Sequence, residues 1–596
     1  MITSSSVKSL MKAANVTLWR GRTRDAQCAS PTKSGNMSMK KHIDTLFSGA
    51  TFHTLRLEDE VFSFLGATGG RISYLANARP DRGEYKREVS LGGGHVYPSF
   101  TDAHIHLLST VMSAAAGFDV CQITDGGVSP NTLKGVEGRI RAYCEQRGAG
   151  ETIVANNYIA SAIDEKRMPT RLELDDWTGG RRAVVFSIDS HSSSMSTPML
   201  EALGVDPSGH AGFVSGADHE FLQGRVTSLL GSSVGIRDLV NGVADFVGQC
   251  AKFGITRVCA LEGNGDSPDD RMARRIDYIA RRLEIDIFLY PQLMDLERAR
   301  PFWKKAGRRR IGGCGDWEVD GAVGAHSAAF YSPYIDTGAT AGCYYTQEEI
   351  DGAVRRADAE GCQIAAHAIG EAAIDRIVGA FDRLRSGSLG DESQGNGPLR
   401  SGSQGDESRC GRALHRIEHF EFPTDSAVEK LIRNGSIAVT VQPGFAWIDE
   451  RFLKSYECYL PKEIAQRQAP LKRLYDAGVA LCATSDSPIQ SLDPFLQLLG
   501  MADFSVPGES LTNYEAMRCY TVNPARVLGL EDSIGTLALG KEASFFATAA
   551  DLTARGAETF SGAKVDCTYI RGRRLVGSKG ALASFLRLLL RRPKRL

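Results

Sequence analysis

Residues 96–106 read VYPSFTDAHIH, an apolar run that ends on two alternate histidines, and the design returns three times. CQIAAH (362–367) ends on His367, LHRIEH (414–419) on His419, and VALCATSD (479–486) on Asp486. On a strand, alternate side chains share a face, so His104 and His106 project together, Ile105 points the other way, and Asp102 lies on the histidine face beneath them. Two imidazoles so placed chelate one divalent ion. A lone His-x-His also arises by chance. Four strand-ending sites in the order His-x-His, His, His, Asp are a stronger signal.

Working outward, further apolar runs recur between residues 99 and 525: TIVANNY, RAVVFSI, ITRVCALEG, DIFLYPQL and IAVTVQPG, separated by polar helical stretches such as Thr346–Glu360 and Asp425–Asn434. Strand–helix alternation with near-continuous apolar strands predicts an α/β fold whose parallel sheet is buried on both faces. The number of units favours a closed (β/α)8, TIM-like barrel over a doubly wound sheet, and no Gly-rich phosphate fingerprint supports the latter. In such a barrel the strand ends carrying these residues form the functional face. Short β segments punctuated by Gly fill residues 43–98 and return over 526–580, which predicts a small β-sandwich domain built from both termini.

Of 596 residues, 42% are hydrophobic and 24% charged, ordinary for a globular protein, and the formal net charge is -1. Such balance offers no general attraction to nucleic acid or an anionic membrane. No apolar run reaches the roughly 18 residues of an integral membrane segment. The 13 cysteines are odd in number and lie singly, without a CxxC pair, which fits reduced thiols in the cytoplasm better than a disulfide framework. Residues 1–42 are basic and rich in Ser and Ala, the composition of an organellar targeting peptide or of a disordered extension. A basic tail, 581–596, contains FLRLLLRRPKRL, readable as a short amphipathic helix or a surface tail; its last three residues only loosely match a peroxisomal signal. Residues 384–410 hold the near-duplicates LRSGSLGDES and LRSGSQGDES, a composition that cannot bury a core and is read as a disordered insertion.

The chain resembles the amidohydrolase superfamily, in its amidohydrolase-3 branch of N-substituted formamide deformylase-like proteins. The resemblance spans about Ile43 to Val576. Its anchors are YPSFTDAHIHLL, the DSH around His191, WEVDGAVGAHSAAFYSPY, AHAIGEAAID, RIEHFE, TSDSPI and YTVNPARVLGL with GTLALGKEAS. The resemblance implies a distorted (β/α)8 barrel with a small β-sandwich, and a divalent metal cofactor, zinc first, as one or two ions. It implies that His104, His106 and Asp486 hold the more buried ion, and that His367 and His419 hold a second or line the site. Asp486 would also take the proton of the attacking water and return it to the leaving nitrogen, with His419 helping to stabilise the oxyanion. The implied reaction is hydrolysis of a C–N bond in an amide-type small molecule, N-formyl or N-acyl, by a chain that forms a homo-oligomer or acts alone. A non-catalytic scaffold, or a lyase or isomerase on the same site, is the alternative.

The chain departs from the pattern in one place that matters. Many members carry a lysine, available for carboxylation as a bridging ligand, four residues before the Asp-Gly of WEVDG. Here that residue is Asp316, and Glu318 and Asp320 follow on the same strand face. A carboxylate in place of the lysine is expected, with Glu318 first. Two further departures, Ser99 and Ser544, lie outside the chemistry. His191 is expected at the border of the pocket, His326 as a pocket or structural histidine, and Trp447 as a pocket wall or core residue.

Overall fold

A computed structural model describes residues 42–577 apart from 125–126, 149, 234–235, 264–270, 304–307 and 388–413. The expected basic segment before residue 42, the tail from 581 onward and most of the expected insertion therefore lie outside the described residues. Residues 384–386, expected to be disordered, are instead the last turn of a helix, Glu371–Ser386.

The fold is mixed α/β, and its largest element is a set of eight parallel strands. We number them β1 (Phe100–Ile105), β2 (Ile255–Glu262), β3 (Asp286–Pro291), β4 (Arg310–Glu318), β5 (Gln363–Ala368), β6 (His415–His419), β7 (Ile437–Val441) and β8 (Ala480–Ala483). Strands β1, β2 and β3 form one parallel sheet, and β4 to β8 another in simple sequence order. β3 lies beside β4. At the other margin Ile105, at the end of β1, bridges in parallel to Ser487, just beyond β8. β2, β5, β7 and β8 are buried along their whole length, as expected of strands covered on both faces. Helices follow where the sequence signals them. Gln347–Ala359 starts from a capping box of Thr346 and Glu349, and Asp425–Asn434 starts at Thr424 and stops at left-handed Gly435.

Two of the apolar runs belong elsewhere. TIVANNY and RAVVFSI supply Ile153–Tyr158 and Ala183–Ser187 to a separate five-stranded sheet inserted between β1 and β2, with Ser192–Met195, Phe213–Ser215 and Gly117–Asp119. An apolar run reports burial on both faces but not the sheet that does the burying. The place of TIVANNY and RAVVFSI among the eight is taken by HRIEH, short and charged, and by the Gly-rich RIGGCGDWE of β4.

The chain ends meet in a six-stranded sheet. Arg573–Leu575, Val565–Ile570 and Phe545–Thr548 come from the C-terminal side, and His95–Pro98, Thr51–His53 and Val61–Phe62 from the N-terminal side. A four-stranded sheet of Arg71–Ala76, Phe64–Thr68, Ile43–Ser48 and Tyr85–Ser90 shares its core: Phe47 and Leu65 pack with Phe52, Val96, Phe545 and Tyr569. The Phe47 and Phe545 rings meet edge to face at 4.9 Å. Burying each such ring contributes about 1.5–3 kcal/mol. Among the described residues no helix is long and apolar enough to cross a membrane.

Candidate metal centre

The C-terminal ends of the eight strands bring five of the expected residues together. β1 carries His104, fully buried, and His106 follows the strand's last residue. His104 Nε2 lies 3.1 Å from Asp486 Oδ1, His106 Nε2 lies 3.2 Å from the same oxygen, and the two imidazole nitrogens are 3.4 Å apart. The backbone fixes this approach. Asp486 N–H donates to the His104 carbonyl at 3.0 Å and His106 N–H to the Ser487 carbonyl at 2.8 Å, so β1 and the turn after β8 are laced together. Beneath them Asp102 is wholly buried and accepts hydrogen bonds from the Thr484 hydroxyl and the Ser485 N–H. Asp486 itself sits at φ 56, a left-handed conformation that a non-glycine residue holds at a cost and that is typical of functional turns.

Hydrogen bonding on the far side of His104 decides what its near side can do. His104 Nδ1 lies 2.7 Å from Glu418 Oε2, and Glu418 pairs at 2.7 Å with Arg416, with both acid and guanidinium fully buried. Glu418, held down to about 2 against burial by Arg416 and His104, is a carboxylate, so Nδ1 carries the proton and donates it. Nε2 is the nitrogen left to face the site. It faces a second imidazole nitrogen and a carboxylate oxygen, and the three atoms converge within 3.4 Å, close enough to share one proton or one cation. The local charge favours a proton or a cation at this place. Burial works against a charged His104, yet Asp486 and Glu418 raise it to about 9, and Asp486 is held well below the carboxylate range by His104 and His106 despite its own burial. Donor types and geometry fit a divalent ion.

A second group lies beside the first. His191, Glu318 and His367 place one ligand atom each within 4.8 Å of one another. His191 Nδ1 is 3.0 Å from Glu318 Oε1 and 3.1 Å from Glu220 Oε1, and these two acids raise His191 well above its usual range although burial opposes it. The fully buried Glu318 arrives by an irregularity of β4. Gly313 is opposite Ala366, yet the next pairing is Glu318 with His367, so five residues of β4 span one step of β5. Gly312 permits it: at φ 131, a Cβ there would fall 1.9 Å from the Ala365 carbonyl oxygen. His419 stands between the groups, its ring 5.3 Å from His104 and 4.3 Å from His367. His419 Nδ1 lies 3.1 Å from Gln442 Oε1, and its buried Nε2 has no hydrogen-bond partner. Burial lowers His419 to about 4, so the ring is neutral.

The three acids considered for the missing lysine separate. Glu318 enters the second group. Asp320 is occupied by the backbone N–H groups of Ala329, Ile369 and Gly370 at 2.8, 2.9 and 2.8 Å and braces the turn after β5. The Asp316 side chain lies outside the described residues. His326 pairs with Asp336 at 2.8 Å, and Trp447 donates to Asp503 at 3.1 Å; neither joins the two groups. Ser99 bonds Thr256, and Ser544 receives the Arg571 N–H. Sequence reading passed over Glu418 and Arg416, and ranked His191 only as a border residue. Alternation in HRIEH was the available signal: two opposite charges on one face of a buried strand must pair. A cleft of about 650 Å³ including its mouth is lined by apolar residues such as Leu108, Phe186 and Pro488 and by polar ones such as Asn156, Ser190 and Gln223. Leu108 and Pro488 each stand two residues beyond a member of the first group, His106 and Asp486.

Comparison with known proteins agrees with this picture. The family model described as "Amidohydrolase family" matches residues 87–576. N-substituted formamide deformylase of Arthrobacter pascens is 23% identical over 545 residues, which cover 85% of this chain and 93% of that protein. Crystal structures of uncharacterized metal-dependent hydrolases from Pyrococcus horikoshii and Pyrococcus furiosus superpose with TM-scores of 0.61 and 0.60. Their identities are 19% and 21%; each covers 86% of this chain, and the match spans 99% and 100% of theirs.

Proposed function

The chain belongs to the amidohydrolase family, and from that premise we propose that it is a metal-dependent hydrolase cleaving the C–N bond of a small amide-type molecule. The observation that carries the reading is the convergence of His104 Nε2, His106 Nε2 and Asp486 Oδ1 within 3.4 Å of one another, with Glu418 holding the far side of His104. In this reading β1 to β8 close into the (β/α)8 barrel over residues 99–525, and residues 43–98 with 526–580 form a β-sandwich.

His104, His106 and Asp486 would hold one divalent ion, zinc first, and His191, Glu318 and His367 a second, with His419 facing both. An ion there would polarise the substrate carbonyl and bring the pKa of a water down to about 7. The rest falls to the protein. Asp486, anionic and buried, takes the proton of the attacking water and returns it to the leaving nitrogen, work that contributes about 10²–10⁴ in rate. Glu418 keeps His104 in the Nδ1-protonated form, with Arg416 holding Glu418 in place. His419 serves as a ligand while Nδ1 donates to Gln442 Oε1. It serves as a donor to the oxyanion when the Gln442 amide turns its NH2 to Nδ1 and the ring proton sits on Nε2. The cleft beside Pro488 receives the apolar part of the substrate.

N-formyl amines are the first substrates to test, since a relative covering 85% of the chain carries the name N-substituted formamide deformylase. The screen extends to N-acetyl and longer N-acyl amines, run before and after chelation. Metal-dependent release of amine from any of them supports the reading; turnover unchanged by complete metal removal overturns it.

A further inference from the structure

On the six-stranded sheet, three side chains from 42 to 498 residues apart in sequence meet. His53 ends the strand Thr51–His53, and His95 begins the neighbouring parallel strand with Thr51 opposite it, so both histidines project from one face. On the other side of His95 runs Phe545–Thr548, with Thr548 opposite His95, and Asp551 lies three residues beyond. His53 Nε2 is 2.8 Å from His95 Nδ1, and one ligand atom from each of the three residues falls within 4.8 Å of the others.

We propose that His53, His95 and Asp551 form a further cation site, for a divalent transition metal such as zinc, which fastens the N-terminal strands of this sheet to its C-terminal strand. Two imidazoles and a carboxylate are a borderline-soft ligand set that suits zinc, cobalt or nickel rather than magnesium or calcium, whose sites are built from oxygen. The set is held in place. Asp551 Oδ1, 4.0 Å from His95 Nδ1, accepts from the Tyr97 hydroxyl at 2.8 Å, the Thr553 N–H at 3.1 Å and the Thr553 hydroxyl at 2.7 Å, which hold the carboxylate in place. The His53 ring stacks on Tyr97 at 4.5 Å. His53 is buried and meets His95 through Nε2. Its Nδ1 has no hydrogen-bond partner, so nothing on its far side fixes the tautomer. Two nitrogens at 2.8 Å share one proton; an ion taken up there would send it to the far nitrogen of its own ring, so both imidazoles stay neutral. His95 and Asp551 remain 25% and 40% exposed, so the ion has a path in and water completes its coordination.

The test is zinc and cobalt titration of the metal-stripped full chain, comparing wild type with His95→Ala and with Asp551→Asn, which keeps the Oδ1 bonds. Both variants should lose about one equivalent of bound metal and the corresponding cobalt absorption, and most of the zinc-dependent gain in Tm assigned to this site. Hydrolytic turnover should stay as in wild type. Equal stoichiometry in all three proteins, with an equal zinc-dependent rise in Tm, would overturn the proposal and mark the cluster as a hydrogen-bonded histidine pair. Asp551→Asn keeps the test decisive if His95→Ala fails to fold, and the equivalents left in either variant report the strand-end site separately.

Discussion

The two ligand groups at the strand ends are built on different principles. In the first, His104, His106 and Asp486 are fixed from behind: Glu418 and Arg416 brace His104, and main-chain bonds lace β1 to the turn after β8. In the second, His191 comes from the inserted five-stranded sheet's turn, Glu318 from a bulged strand and His367 from a regular one. The first group is set by the backbone of two adjoining strand ends. The second depends on one local deformation, the slip of β4 that brings Glu318 beside His367.

Experiments that break one group and spare the other sharpen this contrast, and the largest effect is expected from the first. Asp486→Asn should lower kcat by about 10²–10⁴ while two histidines of the first group still hold metal; retained turnover would remove Asp486 from proton transfer. Glu318→Ala should next remove about one equivalent of tightly held metal, leaving the first group loaded. Equal metal content before and after would show that Glu318 only orients His191. Glu418→Gln keeps an acceptor for His104 Nδ1 but takes the charge from Arg416. Metal affinity should fall by about 10–100-fold, and unfolding should become easier, because breaking a buried pair on one side costs about 3–5 kcal/mol. Denaturant titration and metal competition read the two effects separately. The smallest effect is expected outside both groups: replacing residues 390–411 by a short Gly-Ser linker should leave turnover and Tm unchanged.

How much of this was legible follows the same division. His104, His106 and Asp486 were readable because strand alternation and strand-ending position are local properties, although His106 lies one residue past the strand. His367 and His419 were readable for the same reason. Glu318 was readable only as one of three acids, since its arrival beside His367 depends on a five-for-one slip against β5 that periodicity does not announce. His191 stands in a turn of the inserted sheet, and TIVANNY and RAVVFSI were assigned to the wrong sheet because burial on both faces looks alike in either. Glu418 was hidden by its neighbour: LHRIEH drew the eye to the terminal histidine, while the two residues that tune the site lay within the strand.

Metal analysis of the purified chain, wild type beside His104→Ala, tests the central claim most directly. The account predicts at least about one tightly held divalent ion per chain in wild type, lost together with amide hydrolysis in the variant. Less than ~0.2 equivalents in wild type, or an unchanged metal content in His104→Ala, would contradict it.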